Sequence, residues 1–468
     1  MKAGTRMVPL ECGLIFLVVG LACFGGILSR EAGYLAWIWP ANAILLSMFV
    51  RFPHMARPAG WVAAGVAFLA VDAALGTSWP ANLLLNLSNL SGIAVGYWIY
   101  MRYPPDIRLL QRPTSALLLV GVSLAAGFVT SALGAVVSVM LFGKTYLWAF
   151  AMWSSSQITN YLALMPFILT LPAWKYKSLG LQSLVARAMS RRYANLGIWA
   201  AFLGSCALGV VMDGPGAVML PVPALLWMAL AFPLFTTASI VLAYVLWSQA
   251  AMSMGIIDVG VNLQDAKSVI SLRLGLTLLA LGPLAVASTN ASRTKLLQEL
   301  QRMATYDSLT GIFGRAAFLR EGADMLTRSP TVLLLMDIDH FKSINDRFGH
   351  HAGDAALLGF CQAVGSELSQ TDLFGRLGGE EFAILSSSAS QQDALALAQR
   401  ICRKVEETVI VTDDGVSLRM TVSIGVVTAS PTVPQRLAEL LRRADELLYQ
   451  AKAAGRNQVK LAPVAQSS

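Results

Sequence analysis

Charged side chains are scarce in this sequence. Only 13% of the 468 residues are Asp, Glu, Lys or Arg, whereas 56% are hydrophobic. An ordinary soluble domain carries about 25% charged residues, so this composition excludes a typical water-soluble chain and places most of it in a bilayer. The charges that exist are unevenly spread, because residues 1–290 are mostly long apolar runs and acids and bases crowd the chain after Arg293. The sequence therefore predicts two modules.

Cysteines at metal-binding or redox spacing are also lacking. Cys12, Cys23 and Cys206 lie in apolar runs, and Cys361 and Cys402 fall in helical patterns without C-x-x-C spacing. This pattern predicts neither a disulfide framework nor a zinc site. The net charge of +8 would suit a nucleic-acid partner, but much of the excess lies in short loops between apolar runs, where it reports membrane orientation. We predict no nucleic-acid binding.

Apolar runs long enough to cross a hydrocarbon core of roughly 30 Å recur through the first module. The run 217–257 would be about 60 Å long as one helix, so we expect Pro233 to break it into two spans. With the N-terminus in the cytoplasm, most Lys and Arg of the loops lie inside and the second module is cytoplasmic. The expected total is about ten spans. The others lie near residues 10–28, 34–50, 59–76, 82–101, 115–142, 146–172, 195–212 and 269–288.

A few polar residues interrupt these spans. An ionisable or amide group at membrane depth tends to face a bundle interior or a cavity. For each asparagine taken separately, hydrogen bonding between helices is the more ordinary explanation, and Asp72 is the best single candidate for a functional group. The polar residues that stand out are Asp72, Asn82, Asn86, Asn89, Asn160 and Gln249.

The membrane module has a repeated tetrapeptide. Trp-Pro-Ala-Asn occurs at 39–42 and again at 79–82, and each proline is placed for the first turn of a helix. With the multi-span layout that surrounds them, these segments resemble the MASE-type sensor domains at the N-terminus of bacterial signalling proteins. The resemblance implies a sensor domain over residues 1–290, in contact with membrane lipid and responding to an unknown small-molecule or membrane signal.

A helical linker is expected over residues 291–306. Its apolar residues are three or four apart, with charges between them. Two interpretations remain open: a short parallel coiled coil between two chains, or a single helix docked on its own domain. The apolar residues are Leu296, Leu297, Leu300, Met303 and Ala304.

The pattern after the linker predicts an α/β sandwich with an antiparallel sheet. Asp307 is placed to cap a helix. An apolar strand over 331–337 ends in Asp337-Ile338-Asp339, whose two carboxylates share one face by alternation. Gly378 and Gly379 can take the positive φ of a hairpin turn, and Glu380 and Glu381 after them should point to opposite faces. Further elements are expected as helices at 354–368, 391–407 and 433–454 and a strand at 418–427.

Six segments in this module share one resemblance. They are Asp-Ser-Leu-Thr-Gly at 307–311, Asp-Ile-Asp-His-Phe-Lys-Ser-Ile-Asn-Asp at 337–346, Gly-His-His-Ala-Gly-Asp at 349–354, Arg-Leu-Gly-Gly-Glu-Glu-Phe at 376–382, Ser-Ile-Gly-Val at 423–426, and the run from Ala444 to Asn457. Residues 305–461 thus resemble a GGDEF-domain diguanylate cyclase in its GGEEF form. The resemblance implies condensation of two GTP into cyclic di-GMP and two pyrophosphates. The implied fold class is a multi-span α-helical membrane domain followed by an α/β GGDEF domain, related to nucleotidyl cyclases and polymerase palms, with helices flanking an antiparallel sheet.

The resemblance also implies roles for individual residues. Asp337, the Ile338 carbonyl and Glu380 would bind Mg²⁺ or Mn²⁺, with Glu381 on a second metal and Glu380 also the base. Asn345 and Asp354 would read guanine. The triphosphate would contact Lys342, Lys452 and Arg456. Lys452 and Arg456 are four residues apart on the last helix, which places them on one face, as a phosphate clamp requires.

One family feature is missing. The product-inhibition motif of the family is Arg-x-x-Asp, five residues before the Gly-Gly, and here it begins with Ser369 and ends with Asp372. A serine cannot supply the guanidinium fork that grips phosphate. We therefore expect weak or absent feedback inhibition at this place.

Each such domain holds one GTP, so two must face each other to join two substrates. This chemistry favours a homodimer through the linker and the catalytic domains, in a multi-pass protein of the bacterial inner membrane. Two rival hypotheses are a catalytically silent GTP-binding receptor and a transporter with a signalling appendage. Residues 462–468 are expected to be a disordered tail.

Overall fold

The structure divides into a helical unit and an α/β unit. It is a computed structural model that describes residues 8–28, 39–172, 192–260, 265–387, 390–412, 415–429 and 436–462. The compact units are Met1–Lys295 and Leu296–Ser468, close to the boundary predicted at residue 290. Residues 34–38 of the second predicted span, residues 433–435 of the last predicted helix, and positions 463–468 of the predicted tail lie outside the described residues.

The first unit is built of helices throughout its described part. They are α1 (Val8–Leu28), α2 (Pro40–Arg51), α3 (Pro58–Ala74), α4 (Trp79–Tyr100), the short α5 (Pro105–Arg108), α6 (Ser115–Phe142), α7 (Tyr146–Leu169), α8 (Arg192–Met212), α9 (Val222–Ala231), α10 (Leu234–Ser253) and α11 (Ala266–Thr305). Pro40 and Pro80 lie in the first turns of α2 and α4, as predicted. The break at Pro233 is confirmed as well, because α9 ends at Ala231 and α10 begins directly after the proline, which cannot continue a helical hydrogen-bond ladder.

Five of the described helices are long and apolar enough to cross a membrane. They are α1, residues Ser115–Met140 of α6, Asn195–Met212 of α8, α10 and α11. The helix α2 has only 12 residues, and α4 is interrupted by asparagines, so neither reaches that standard alone. The expected count of about ten spans therefore remains a prediction.

The predicted linker helix is present, as the last part of α11. This helix has 40 residues and runs without interruption to Thr305. The side chains of Leu296, Leu300 and Met303 are each more than half exposed along it.

The second unit is an α/β sandwich. Its strands are β1 (Phe313–Gly314), β2 (Thr331–Ile338), β3 (Leu373–Gly378), β4 (Glu381–Ser386), β5 (Ile410–Val411), β6 (Ser417–Leu418), β7 (Val422–Ala429) and β8 (Val459–Leu461), and its helices are α12 (Arg315–Leu326), α13 (Phe341–Phe348), α14 (His350–Gly365), α15 (Gln391–Glu407) and α16 (Leu437–Ala453). The main sheet has the order β1-β3-β4-β2-β7-β8, and β5 pairs with β6 separately. The central strand β2 is antiparallel to both β4 and β7, while β1 with β3 and β7 with β8 are parallel.

Both faces of the sheet are covered. On one face Phe360 of α14 lies 4.6 Å from Phe382 of β4, measured between ring centroids. On the other face Phe318 of α12 and Leu448 of α16 join a second apolar cluster. Because β2 is covered on both faces, all its residues are buried, and only its carboxyl end reaches polar groups.

The predicted elements are confirmed with two shifts. The helix expected from residue 354 begins four residues earlier, at His350, because Gly349 with a φ of 81° lets α14 start directly after α13. The strand expected at 418–427 is β7, which runs from Val422 to Ala429.

Candidate active site

The hairpin β3–β4 holds the two glycines and two glutamates. Gly379 has a φ of 47°, which is the left-handed conformation expected of a turn glycine. Gly378 does not: it lies at the end of β3 and pairs with Glu381, after a register shift that follows Arg376. The expectation that both glycines take positive φ is thus wrong for Gly378, because the bulge completes the reversal with one left-handed residue.

The tip of this hairpin lies against the carboxyl end of β2. Asp337 is in register with Glu381, and the backbone N–H of Ile338 donates to the carbonyl oxygen of Glu380 at 3.3 Å. Glu380 is half-buried in the turn and Glu381 is exposed at the start of β4. The structure therefore brings the predicted metal-site residues together at one edge of the sheet.

Asp337 is the buried carboxylate of this edge, with 7% of its surface exposed. Its Oδ2 lies 2.8 Å from the Nζ of Lys452 on α16. Burial raises the pKa of Asp337 above its ordinary value; Lys452 opposes this shift, and the negative charges of Glu380 and Glu381 add to it. One lysine does not balance the three carboxylates, so the edge has the charge and the oxygen donors that suit a divalent cation.

The carboxylates alone would not complete a metal site. Among the described residues, no three His, Cys, Asp or Glu side chains converge closely enough to hold one ion. A magnesium ion commonly uses one or two carboxylates and takes its remaining ligands from water and substrate phosphates. The donor set at this edge fits that pattern, with the Ile338 carbonyl as a further oxygen.

Asp339 does not join Asp337 at this edge. Its carboxylate accepts hydrogen bonds from the hydroxyls of Thr421 and Ser423, both at 2.7 Å, and from the backbone N–H of Asn457 at 3.0 Å. These bonds tie the chain after α16 to the sheet. Asp339 is therefore an anchor for the segment that carries Arg456.

Arg376 connects the hairpin turn to the start of the domain. Its Nε and Nη2 donate to the carbonyl oxygen of Gly379 at 2.9 and 2.7 Å, and its Nη1 lies 3.1 Å from Oδ1 of Asp307. Partial burial opposes ionisation of Asp307, but hydrogen bonds from Thr310 and Arg376 together lower the pKa of its carboxyl. The sequence analysis assigned Arg376 no role. Its position two residues before the Gly-Gly pair was the signal that could have indicated a contact with the turn.

The predicted helix cap at Asp307 is wrong. Its Oδ1 accepts from the backbone N–H and the hydroxyl of Thr310, at 2.9 and 2.7 Å, which closes a turn. The next helix, α12, begins eight residues later and has Gly314 at its N-cap. Asp307 thus stabilises the turn after α11 and, through Arg376, the turn of the hairpin.

The two predicted guanine-reading residues lie on consecutive helices. Asn345 is on α13 and is half-buried, and Asp354 is exposed on α14, four residues after the helix begins. Between them, Gly353 packs directly against the asparagine: a Cβ at this position would lie 2.0 Å from Oδ1 of Asn345. The close packing of α13 on α14 therefore depends on a glycine that the sequence analysis did not single out.

The predicted phosphate contacts are only partly as expected. Lys342 is exposed on α13. Lys452 is on α16, but Arg456 is not, because the helix ends at Ala453 and Arg456 has a φ of 67° in the turn that follows. The argument that both share a helix face is thus wrong. Gly455 and the left-handed Arg456 end the helix, and the backbone N–H of Arg456 donates to the carbonyl of Ala451.

The altered inhibitory motif forms a local turn. The carboxylate of Asp372 accepts from the backbone N–H of Ser369 at 2.7 Å. In the pocket beside it, Arg400 is already paired with Glu367 at 3.1 Å. The one carboxylate of the motif is therefore engaged within its own turn.

These features define a class of protein. A palm-like sheet with antiparallel central strands, with an acidic edge and with amide and basic side chains on the helices around it, is suited to reactions on nucleotide phosphates. The family model for the diguanylate cyclase GGDEF domain matches residues 304–458. The chain belongs to the family of GGDEF-domain diguanylate cyclases.

Relatives in Escherichia coli support this membership over much of the chain. The probable diguanylate cyclase DgcF of strain O157:H7 is 29% identical over 95% of this chain and 93% of its own. DgcF of strain K12 is 32% identical over 55% of this chain and 83% of its own length. The probable diguanylate cyclase DgcC of strain K12 is 30% identical over 62% of this chain and 78% of its own length.

Proposed function

We propose that this chain is a membrane-bound diguanylate cyclase that condenses two GTP into cyclic di-GMP and two pyrophosphates. The observation that carries the proposal is the hairpin turn that holds Glu380 beside the buried Asp337 at the end of the central strand, in a chain of this family. The residues around this turn have the chemistry that the reaction needs.

The acidic edge would hold Mg²⁺ or Mn²⁺ through Asp337, the Ile338 carbonyl and Glu380, with Glu381 available to a second ion. When bound, the metal neutralises phosphate oxygens and so favours attack of a 3′-hydroxyl on the α-phosphorus. The charge of this edge supports the assignment, because an added cation would offset the repulsion among Asp337, Glu380 and Glu381, which adds to the larger effect of burial on the pKa of Asp337. Lys452 would then exchange its carboxylate partner for a phosphate oxygen.

The protein side chains would orient the substrate and move one proton. Glu380 takes the proton of the attacking hydroxyl. Asn345 and Asp354 pair with the guanine edge, whose donors and acceptors match an amide and a carboxylate. The charges of the triphosphate are met by Lys342, Lys452 and Arg456.

The membrane unit and the linker would control how often two catalytic domains meet. Residues 1–290 form a MASE-like sensor in the bacterial inner membrane, in contact with lipid and open to an unknown signal, and the catalytic domain lies in the cytoplasm. The five described helices that could cross a membrane support this location. A signal that favours the productive pairing of two chains shifts a population rather than altering the chemistry.

A second copy of the same chain is the proposed partner of the linker. Leu296, Leu300 and Met303 recur at spacings of four and three residues, and 57%, 57% and 68% of their surfaces are exposed, as the seam of a short coiled coil requires. Leu300→Glu should weaken the dimer by at least about 100-fold, since burying one leucine on each copy contributes about 1.5–3 kcal/mol per side chain.

Light scattering of the full-length protein in detergent measures this effect. The matched control is Gln301→Glu, which adds the same charge one residue along the helix, away from the leucine seam. A Leu300→Glu protein that stays dimeric and active would exclude the linker as the dimer contact.

The activity itself is tested with purified full-length protein in detergent, given GTP and Mg²⁺. Cyclic di-GMP should form, and its rate of formation should stay the same when low-micromolar cyclic di-GMP is added, because Ser369 replaces the arginine of the inhibitory motif. Product that shuts the enzyme down would refute the missing feedback but not the cyclase. GTP binding without any product would instead favour the silent receptor.

A further inference from the structure

A continuous chain of buried amides runs through the membrane unit. The Nδ2 of Asn42 on α2 donates to Asn89 at 2.8 Å, Nδ2 of Asn89 donates to Asn86 at 3.5 Å, and Nδ2 of Asn86 donates to Oδ2 of Asp72 at 2.8 Å. Each of these four residues is at most 4% exposed. The predicted functional candidate Asp72 is thus the end point of a hydrogen-bonded network that joins three helices.

All the amides in this chain donate in the same direction, toward Asp72. A carboxylate that has lost its proton can only accept hydrogen bonds, and this orientation supplies the donor that such a group needs. At the far end, Asn42 also donates to Oε1 of Gln157 on α7 at 3.1 Å, and its own buried oxygen has no hydrogen-bond partner among the described residues. Both N–H bonds of Asn42 are therefore in use, which fixes its orientation.

The charge of Asp72 is not balanced by a basic side chain. Within the described residues, no Lys, Arg or His nitrogen lies within 4.0 Å of its carboxylate, and the side chain that donates to it is the neutral amide of Asn86. An ionised carboxylate that is 4% exposed among apolar helices is costly unless a positive charge accompanies it. A proton or a bound cation supplies that charge.

The surroundings of Asp72 are rich in oxygen. Three oxygens lie close to Nδ2 of Asn86: Oδ2 of Asp72 at 2.8 Å, Oδ1 of Asn82 at 2.7 Å, and the backbone oxygen of Asn82 at 3.0 Å. An amide has two N–H bonds, so it cannot satisfy three acceptors fully. Carboxylate, amide and backbone oxygens are the ligands that hard cations prefer.

We propose that Asp72 and Asn82 form a binding site in the membrane unit for one positive charge, either a proton or a monovalent metal cation. A bound proton adds to one oxygen of the Asp72 carboxylate, which removes its negative charge and creates an O–H donor. A bound cation is held by the oxygens of Asp72 and Asn82 and displaces the Asn86 amide from them. In both cases Asn86 loses its charged acceptor, and the change passes along the amides to α2 and α7.

The site lies close to the end of its helix. Asp72 is two residues before the end of α3, next to the loop 75–78, which the predicted topology places on the outer side of the membrane. The helices α1 and α4 and the 3-10 turn Pro53–Ala56 pack on α3. The titratable groups on these elements are Glu11, Cys12 and Cys23 on α1, His54 in the turn, and Tyr97 and Tyr100 on α4. His54 pairs with Glu11 at 3.7 Å.

The test is the thermal stability of the full-length protein in detergent, because a ligand that binds only the folded state raises Tm. At alkaline pH and constant ionic strength, Tm is measured in choline chloride, NaCl and KCl, and then in choline chloride as the pH is lowered. The variants are Asp72→Asn, which removes the charge with little change of shape, and Asp258→Asn, which removes an exposed charge from a loop of the same unit.

Wild type and Asp258→Asn should gain a few degrees of Tm on adding one of the cations or on lowering the pH. Asp72→Asn should show neither gain and should be the most stable form in choline at alkaline pH. A gain with NaCl or KCl at fixed pH identifies a metal cation, whereas a gain with acid alone identifies a proton. Equal changes of Tm in wild type and Asp72→Asn would overturn the proposal. An Asp72→Asn protein that fails to fold would also overturn it, since removal of an unbalanced buried charge should stabilise the protein.

Discussion

Glu380→Gln should lower the rate of cyclic di-GMP formation by about 10²–10⁴-fold, the range that a positioned general base commonly contributes. The substitution keeps the size of the side chain and leaves the backbone carbonyl that accepts from Ile338. It removes the carboxylate that we propose as the base for the attacking hydroxyl and as one oxygen ligand of the metal. The measurement is the single-turnover rate with GTP and Mg²⁺, so that product release does not hide the chemical step.

The variant should remain folded and should still bind GTP. Glu407→Gln is the matched control, because Glu407 is an exposed glutamate at the end of α15, on a helix that carries none of the proposed site residues. Its rate and Tm should equal those of the wild type. Glu380→Gln with more than a tenth of the wild-type rate would mean that the proton goes to another acceptor.

The residues whose place in the fold the sequence predicted correctly are those whose position follows from one local pattern. The apolar run of β2 fixes where Asp337 emerges, and the Gly-Gly pair fixes the hairpin that carries Glu380. Strand pairing then brings Asp337 into register with Glu381. Local alternation and a turn signal were enough to place these groups at one edge of the sheet.

The predictions that failed concern contacts between distant parts of the chain. Asp307 and Arg376 are 69 residues apart, so no periodicity in either segment could show that they pair. Arg456 was assigned to the last helix by its spacing from Lys452, but Gly455 ends that helix. In the first unit, each asparagine taken alone is explained by ordinary hydrogen bonding between helices. The structure shows in addition that Asn42, Asn89 and Asn86 form one chain of hydrogen bonds that ends at Asp72.

A short chain of contacts connects the end of α11 to the turn of the β3–β4 hairpin. Asp307 follows the end of α11 by two residues. Arg376 donates both to the carboxylate of Asp307 and to the carbonyl oxygen of Gly379, in the turn of the β3–β4 hairpin. Two direct contacts therefore connect the segment after the linker helix to Gly379, the residue before Glu380. A change at the end of α11 has a short physical route to the hairpin turn, and double-mutant cycles measure the coupling along it.

Gly353→Ala should impair recognition of GTP although the new methyl group touches no substrate. Its Cβ would lie 2.0 Å from Oδ1 of Asn345 and 2.9 Å from Cγ, so the amide must leave the position from which we propose that it pairs with guanine. Loss of a hydrogen bond at a buried polar group costs about 1–3 kcal/mol. The expected result is a decrease in kcat/KM for GTP of about 5–100-fold, mainly through a higher KM.

The effect of Gly353→Ala should depend on the side chain of Asn345. In Asn345→Ala the side chain that meets the methyl group is gone, so Asn345→Ala/Gly353→Ala should have the same kcat/KM as Asn345→Ala alone, a coupling that independent sites do not show. Gly365→Ala is the control on the same helix, because a Cβ there has no neighbour within 4 Å, and it should match the wild type. If the two single effects add in the double variant, Gly353 does not act through Asn345, and the clash would instead disturb the packing of α13 on α14 as a whole.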